Sequence, residues 1–164
     1  MRKFALLFVL MPILAWANIT PDILSKNIDK SGSENAVNHL QEDEWNIIFK
    51  EIAAGNKAWL DLVPTLAPFT DAKRSVSLED AIAEALTTNT SEALNTLKVL
   101  DANKYPFMIG SNLVCVPPFE KTKDEVSAFY QRTRYALFET IEGADCLWIL
   151  EASMAEWLQK SANK

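Results

Sequence analysis

Apolar side chains recur at three- and four-residue intervals along most of the chain, the period of helices with one buried face. Trp45, Ile48, Phe49 and Ile52 set this rhythm over residues 42–53. The acidic run Glu42-Asp43-Glu44 opens that stretch, where the positive end of a helix favours carboxylates, and Gly55 closes it. Trp59, Leu60, Val63 and Leu66 carry the pattern through 57–66, where Pro64 predicts a kink or an early stop. Residues 68–76 read as a linker. A helix then starts at Ser77-Leu78-Glu79-Asp80 with Ile82, Ala85 and Leu86 on one face; Asn89 ends it, and Leu94, Leu97 and Leu100 mark a helix over 91–100.

Both ends of the chain follow the same logic. Thr20-Pro21-Asp22 supplies an N-cap and a first-turn proline for a short helix through Ile23, Leu24 and Ile28, which stops before Gly32. Ser33 caps a second short segment holding Val37 and Leu40. Thr122-Lys123-Asp124-Glu125 is a capping box. It opens what the spacing predicts to be the longest helix, from Val126, Phe129 and Tyr130 to Tyr135, Leu137, Phe138 and Ile141, ended by Gly143. The last helix covers 144–161 with Leu147, Leu150, Met154, Trp157 and Leu158. Residues 101–118, with Pro106, Gly110, Pro117 and Pro118, have no helical period, and Leu113–Val116 is the candidate for a short extended piece. The chain has four glycines, three of them just past helical stretches where left-handed caps belong.

A shift of 34 residues superposes Ile48 on Ile82, Ile52 on Leu86, Gly55 on Asn89, Leu60 on Leu94, Val63 on Leu97 and Leu66 on Leu100. Each copy reads helix, cap residue, helix, and two copies are too few for a solenoid on their own. The expected fold is all-α: one compact domain over 18–164, with a duplicated helix-turn-helix unit that resembles the HEAT type and a C-terminal helix pair.

The first residues have a different character. Met1-Arg2-Lys3 is cationic, Phe4–Leu14 is an apolar run, and Ala15-Trp16-Ala17 places small residues where a signal peptidase reads them. A membrane anchor needs about 20 apolar residues, and polar Asn18-Ile19-Thr20 interrupts before that. Residues 1–17 are therefore expected to be a signal peptide cleaved after Ala17, in the short style of Gram-negative periplasmic export, with no membrane span in the mature chain.

Export changes the meaning of charge and cysteine. Loss of Arg2 and Lys3 leaves 14 basic against 22 acidic side chains, a formal charge of −8. That sign is wrong for nucleic acid and for an anionic membrane surface. It suits solubility, and it steers a basic protein partner. Cys115 and Cys146, an even pair in an exported chain, point to one disulfide closing a loop of about 30 residues, worth on the order of 3–4 kcal/mol in the chain-entropy model. No C-x-x-C and no flanking histidine accompany them, so neither thioredoxin-type redox chemistry nor zinc is indicated.

Catalytic signatures are missing from the sequence. His39 is the only histidine and reads as a surface residue, and there is no nucleophile elbow, P-loop or dinucleotide fingerprint. The acidic runs Glu42-Asp43-Glu44, Glu79-Asp80 and Asp124-Glu125 all read as helix starts, where the macrodipole accounts for them. No catalytic, metal or cofactor-binding residue is expected, and no cofactor. Trp45, Trp59, Trp148 and Trp157 read first as core, with one or two left as interface anchors. Tyr105, Phe107 and Met108, apolar residues in the aperiodic stretch, are the candidate interface; the alternative tucks them beneath the helices.

In size, signal, charge and helical make-up the chain resembles the small exported helical immunity proteins that neutralise type VI secretion effectors, without a shared motif. That resemblance implies a non-enzymatic periplasmic module that binds a basic toxin and plugs its active cleft. Two other expectations stand beside it: a structural or accessory cell-envelope protein of helical-repeat type, and a cell-wall hydrolase using a carboxylate pair.

Overall fold

A computed structural model describes residues 19–162. The signal peptide expected at 1–17 lies outside them. Among the described residues all regular structure is helical: α1 (Pro21–Ser31), α2 (Ser33–Asn38), α3 (Glu42–Ala53), α4 (Lys57–Leu60), α5 (Val63–Leu66), α6 (Ala72–Thr88), α7 (Thr90–Ala102), α8 (Ser111–Val114), α9 (Lys123–Phe138) and α10 (Ala144–Ala162). Single 3₁₀ turns at Ala67–Phe69 and Ile141–Gly143 lead into α6 and α10.

Local chemistry sets most boundaries. Thr20 caps α1 by accepting a hydrogen bond from the Ile23 amide, and Thr122 and Glu125 satisfy each other's backbone amides at the start of α9. Gly32, rather than Ser33, occupies the cap between α1 and α2. The helix over 57–66 is broken into α4 and α5, with Pro64 in the first turn of α5, where its missing N–H is harmless.

The expected linker 68–76 is mostly helix. Asp71 accepts the Arg74 amide at 2.8 Å and starts α6 at Ala72, six residues before Leu78. The apolar period begins late because the first turn, Ala72-Lys73-Arg74, is mostly exposed, while Ser75 is buried against the Thr70 hydroxyl at 2.6 Å. Glu79-Asp80 therefore lies in the middle of α6, and the helix-end explanation does not apply to it.

Helix α6 is the hub, packing against α3, α7, α8 and α9. Small buried Ser75, Ala81 and Ala85 allow close approach beside Leu78, Ile82 and Leu86. The two helix-turn-helix units, α3 to α5 and α6 to α7, lie side by side, α3 on α6 and α4 and α5 on α7. Of the six superposed pairs four are buried in both copies; Asn89 and Leu94 are half-buried opposite buried Gly55 and Leu60. The seam repeats the sequence offset: Thr88 Oγ1 donates to the Ala53 carbonyl, Asn89 Nδ2 to the Gly55 carbonyl at 2.9 Å, and Thr96 Oγ1 to the Leu60 carbonyl. Trp45 and Trp59 fill the core, Trp45 with the Arg74 guanidinium 5.4 Å from its ring.

The C-terminal pair α9 and α10 packs on this frame, α9 against α6. Glu151 on α10 accepts from the Tyr130 hydroxyl at 2.6 Å and pairs with Arg134, both on α9. Helix α10, at 19 residues, exceeds the 16 of α9. Gly143 ends the 3₁₀ turn rather than α9, and a Cβ there would strike the Leu137 carbonyl. The left-handed glycines are Gly32, Gly55 and Gly110.

Gly55 is where the seam is tightest. Its φ is +77°, and a Cβ would lie 2.7 Å from the Asn89 Cβ. Gly55→Ala is expected to destabilise the protein by about 2–3 kcal/mol from combined strain and overlap, read as a lowered urea midpoint. An unchanged midpoint would contradict the packed seam.

Candidate functional site

The aperiodic stretch crosses the face formed by α6, α7 and the start of α10, held at each step by a side chain of a helix. Glu79 Oε1 accepts the amides of Ile109 and Gly110 at 2.6 and 2.7 Å. Asp101 accepts the Ser111 amide at 3.0 Å and its hydroxyl at 2.6 Å, which starts α8. The stretch Leu113–Val116, the candidate for an extended piece, begins instead inside α8, because the Gly110 carbonyl collects the Leu113 and Val114 amides. Cys115, at the end of α8, is bonded to Cys146 in the first turn of α10, with Cα atoms 5.3 Å apart and both residues buried. Phe119 stacks on Trp157 of α10, ring centroids 5.5 Å apart.

The candidate interface residues are split by this path. Tyr105 and Met108 are half-buried against the core, and the Tyr105 hydroxyl reaches the Pro64 carbonyl at 3.4 Å. Phe107 is exposed, next to exposed Ile109. His39 is at the surface, its Nδ1 2.7 Å from the Asn35 carbonyl.

Two features were not singled out from the sequence. One is a cleft of about 170 Å³ between α6, the α8–Pro118 turn and α9. Its walls carry Glu79, Asp80, Glu84 and Glu120, together with Lys121 and apolar Val116, Pro117 and Phe129. Glu79 is 1 % exposed, and its Oε2 has no hydrogen-bond partner. Burial raises the Glu79 carboxyl above its ordinary range, against the pull of its two backbone amides. Burial raises Asp80 likewise, with Lys121 opposing and Glu120 and Glu84 reinforcing. A raised carboxyl beside others is the raw material of general acid catalysis. Here, however, Oε1 is committed to two amides, and the cleft is below the roughly 300–1,000 Å³ typical of ligand pockets. The arrangement fixes the backbone more readily than it accommodates a glycan.

The second feature is the end of the C-terminal pair. Tyr135 is 69 %, Phe138 68 %, Ile141 95 % and Trp148 73 % exposed. Trp148, read first as core, faces outward because it lies half a turn from the buried stripe Cys146, Leu150 and Met154. Tyr135 stands in the same relation to Val126, Phe129, Thr133 and Leu137. At 1.5 Å per residue the three aromatic rings arise within about 6 Å, along the helix axes, of the α9–α10 connection. Glu139, Glu142 and Asp145 lie among them, exposed, with no basic residue between Tyr135 and Trp148.

Among the described residues no helix is long and apolar enough to cross a membrane. Neither a family model, nor a curated protein, nor a solved structure matches the chain.

Because the folded pKa of Glu79 is raised, its contribution favours folding below the unfolded carboxylate pKa and fades as pH rises through the folded value. Glu79→Gln removes that titration. The stability advantage of wild type over the variant is expected to shrink as pH rises above the ordinary carboxylate range of about 4, measured as the difference in Tm. An advantage that grows with pH would contradict it.

Proposed function

We propose that this protein is a non-enzymatic protein-binding module, exported to the periplasm after cleavage at Ala17, that acts as an inhibitor of immunity type on a basic protein partner. The observation that carries the reading is the display of Tyr135, Phe138, Ile141 and Trp148 at the α9–α10 end. Exposed aromatic residues at one end of a helix pair are common anchors of protein interfaces, and truncating a dominant anchor costs upward of about 2 kcal/mol in binding. The carboxylates of Glu139, Glu142 and Asp145, none of them in an ion pair among the described residues, make the connection acidic, with Lys98 of α7 beside Glu142 and Asp145. A partner surface with apolar pockets ringed by lysine or arginine complements it, and the acidic chain as a whole speeds that encounter.

The side-by-side stacking of the two helix-turn-helix units favours a second reading, an accessory envelope protein of helical-repeat type. It differs in what is bound: a stable envelope component, with no effect on a toxin.

The test is co-expression with the toxic product of the neighbouring gene, read as growth and as direct binding of the purified pair. Wild type is expected to restore growth. The double variant Phe138→Ala, Trp148→Ala is expected to bind at least about 30-fold more weakly, with Tm nearly unchanged because both side chains are exposed. Absence of rescue by wild type, or full rescue by the variant, would overturn the reading.

A further inference from the structure

The cleft beside α6 carries more carboxylates than the fold or the proposed interface uses. Four carboxylates, Glu79, Asp80, Glu84 and Glu120, share walls with Val116, Pro117 and Phe129. Lys121 is the only cation on those walls, and it makes no ion pair within 4 Å among the described residues. Glu84 is held only by the long contact to Arg132 at 3.9 Å. Glu79 adds the independent sign of a missing ligand: a side chain 1 % exposed, on the cleft wall, whose Oε2 lacks any hydrogen-bond partner. A buried acceptor left unpaired is costly, and native structures pair such groups.

We infer that this cleft binds a primary ammonium group carried on a short apolar stem. An ammonium nitrogen donates through its hydrogens to whichever of these carboxylates it reaches, and the methylene stem lies against Val116, Pro117 and Phe129. Among the described residues no three acidic, histidine or cysteine side chains converge closely enough to hold a metal ion. A cleft of about 170 Å³ has room for an amine of four or five carbons. Burial of Glu79 and Asp80, which disfavours their charged forms, is relieved when such a cation enters. The same chemistry comes from a free alkylamine or from a lysine side chain. The site stands apart from the α9–α10 interface, so failure of rescue by the toxin partner leaves it untouched.

The test is a titration of the purified protein followed by backbone amide chemical shifts. The probes are pentylammonium, Nα-acetyl-lysine N-methylamide and, as the uncharged control, 1-pentanol. Saturable shifts are expected at Ile109, Gly110 and Val116 to Lys121, with 1-pentanol at least about tenfold weaker. Asp80→Asn, at the rim of the cleft, is expected to weaken the amine at least about threefold; Glu79→Gln, which keeps an acceptor for the two amides, about tenfold. Equal binding of the lysine derivative assigns the site to a polypeptide side chain, and binding of pentylammonium alone assigns it to a free amine. Shifts that do not saturate, equal binding of 1-pentanol, or indifference to both substitutions would overturn the site.

Discussion

The segment between α7 and α9 has no apolar stripe with which to dock itself, so helix side chains must hold it. Glu79 binds two of its amides, Asp101 binds Ser111, Cys146 is bonded to Cys115, and Trp157 stacks on Phe119. Each such hydrogen bond contributes about 0.5–1.5 kcal/mol, and a covalent bridge closing about 30 residues adds about 3–4 kcal/mol in the chain-entropy view. These clamps come from α6, α7 and α10. One segment therefore joins the tandem helix units to the C-terminal pair, shapes the cleft, and fixes the direction in which the α9–α10 end points.

The two halves of the domain divide the work accordingly. The tandem units bury their period-matched residues against each other along the Gly55–Asn89 seam, leaving few large apolar side chains outside. The C-terminal pair uses one stripe of each helix for docking and keeps a second apolar set outward. Its own contacts, Glu151 to Tyr130 and Arg134, lie about four turns of helix or less from that set and hold the pair together without covering it. A stiff base under exposed aromatic residues is what a binding surface needs, since less freedom is lost on association.

Much of this was legible in the sequence. The all-α fold, the break at Gly55 and Asn89, the capping box at Thr122 and the Cys115–Cys146 pairing follow from spacing and residue chemistry. The start of α6 was not, because Asp71 caps a mostly exposed first turn and apolar period gives no signal there. That one misplacement hid the cleft: with the helix start set at Ser77, Glu79 and Asp80 looked like residues answering a helix dipole, whereas at mid-helix one of them is a buried clamp. The long-range bonds of Glu79 to Ile109 and Gly110 have no local signature at all. By contrast, the outward turn of Tyr135 and Trp148 could be read from their phase against the buried stripes, once those stripes are drawn from Cys146, Leu150 and Met154 rather than from every apolar residue.

Hydrogen exchange followed by mass spectrometry, with and without a disulfide reductant, addresses the clamped segment most directly. Residues 103–122 are expected to exchange as slowly as the neighbouring helices while the bridge is intact. On reduction they are expected to lose protection first, with α9 and α10 next, while α3 and α6 stay protected. Rapid exchange of 103–122 in the oxidised protein, or simultaneous loss of protection across all helices on reduction, would contradict the role assigned to the clamps.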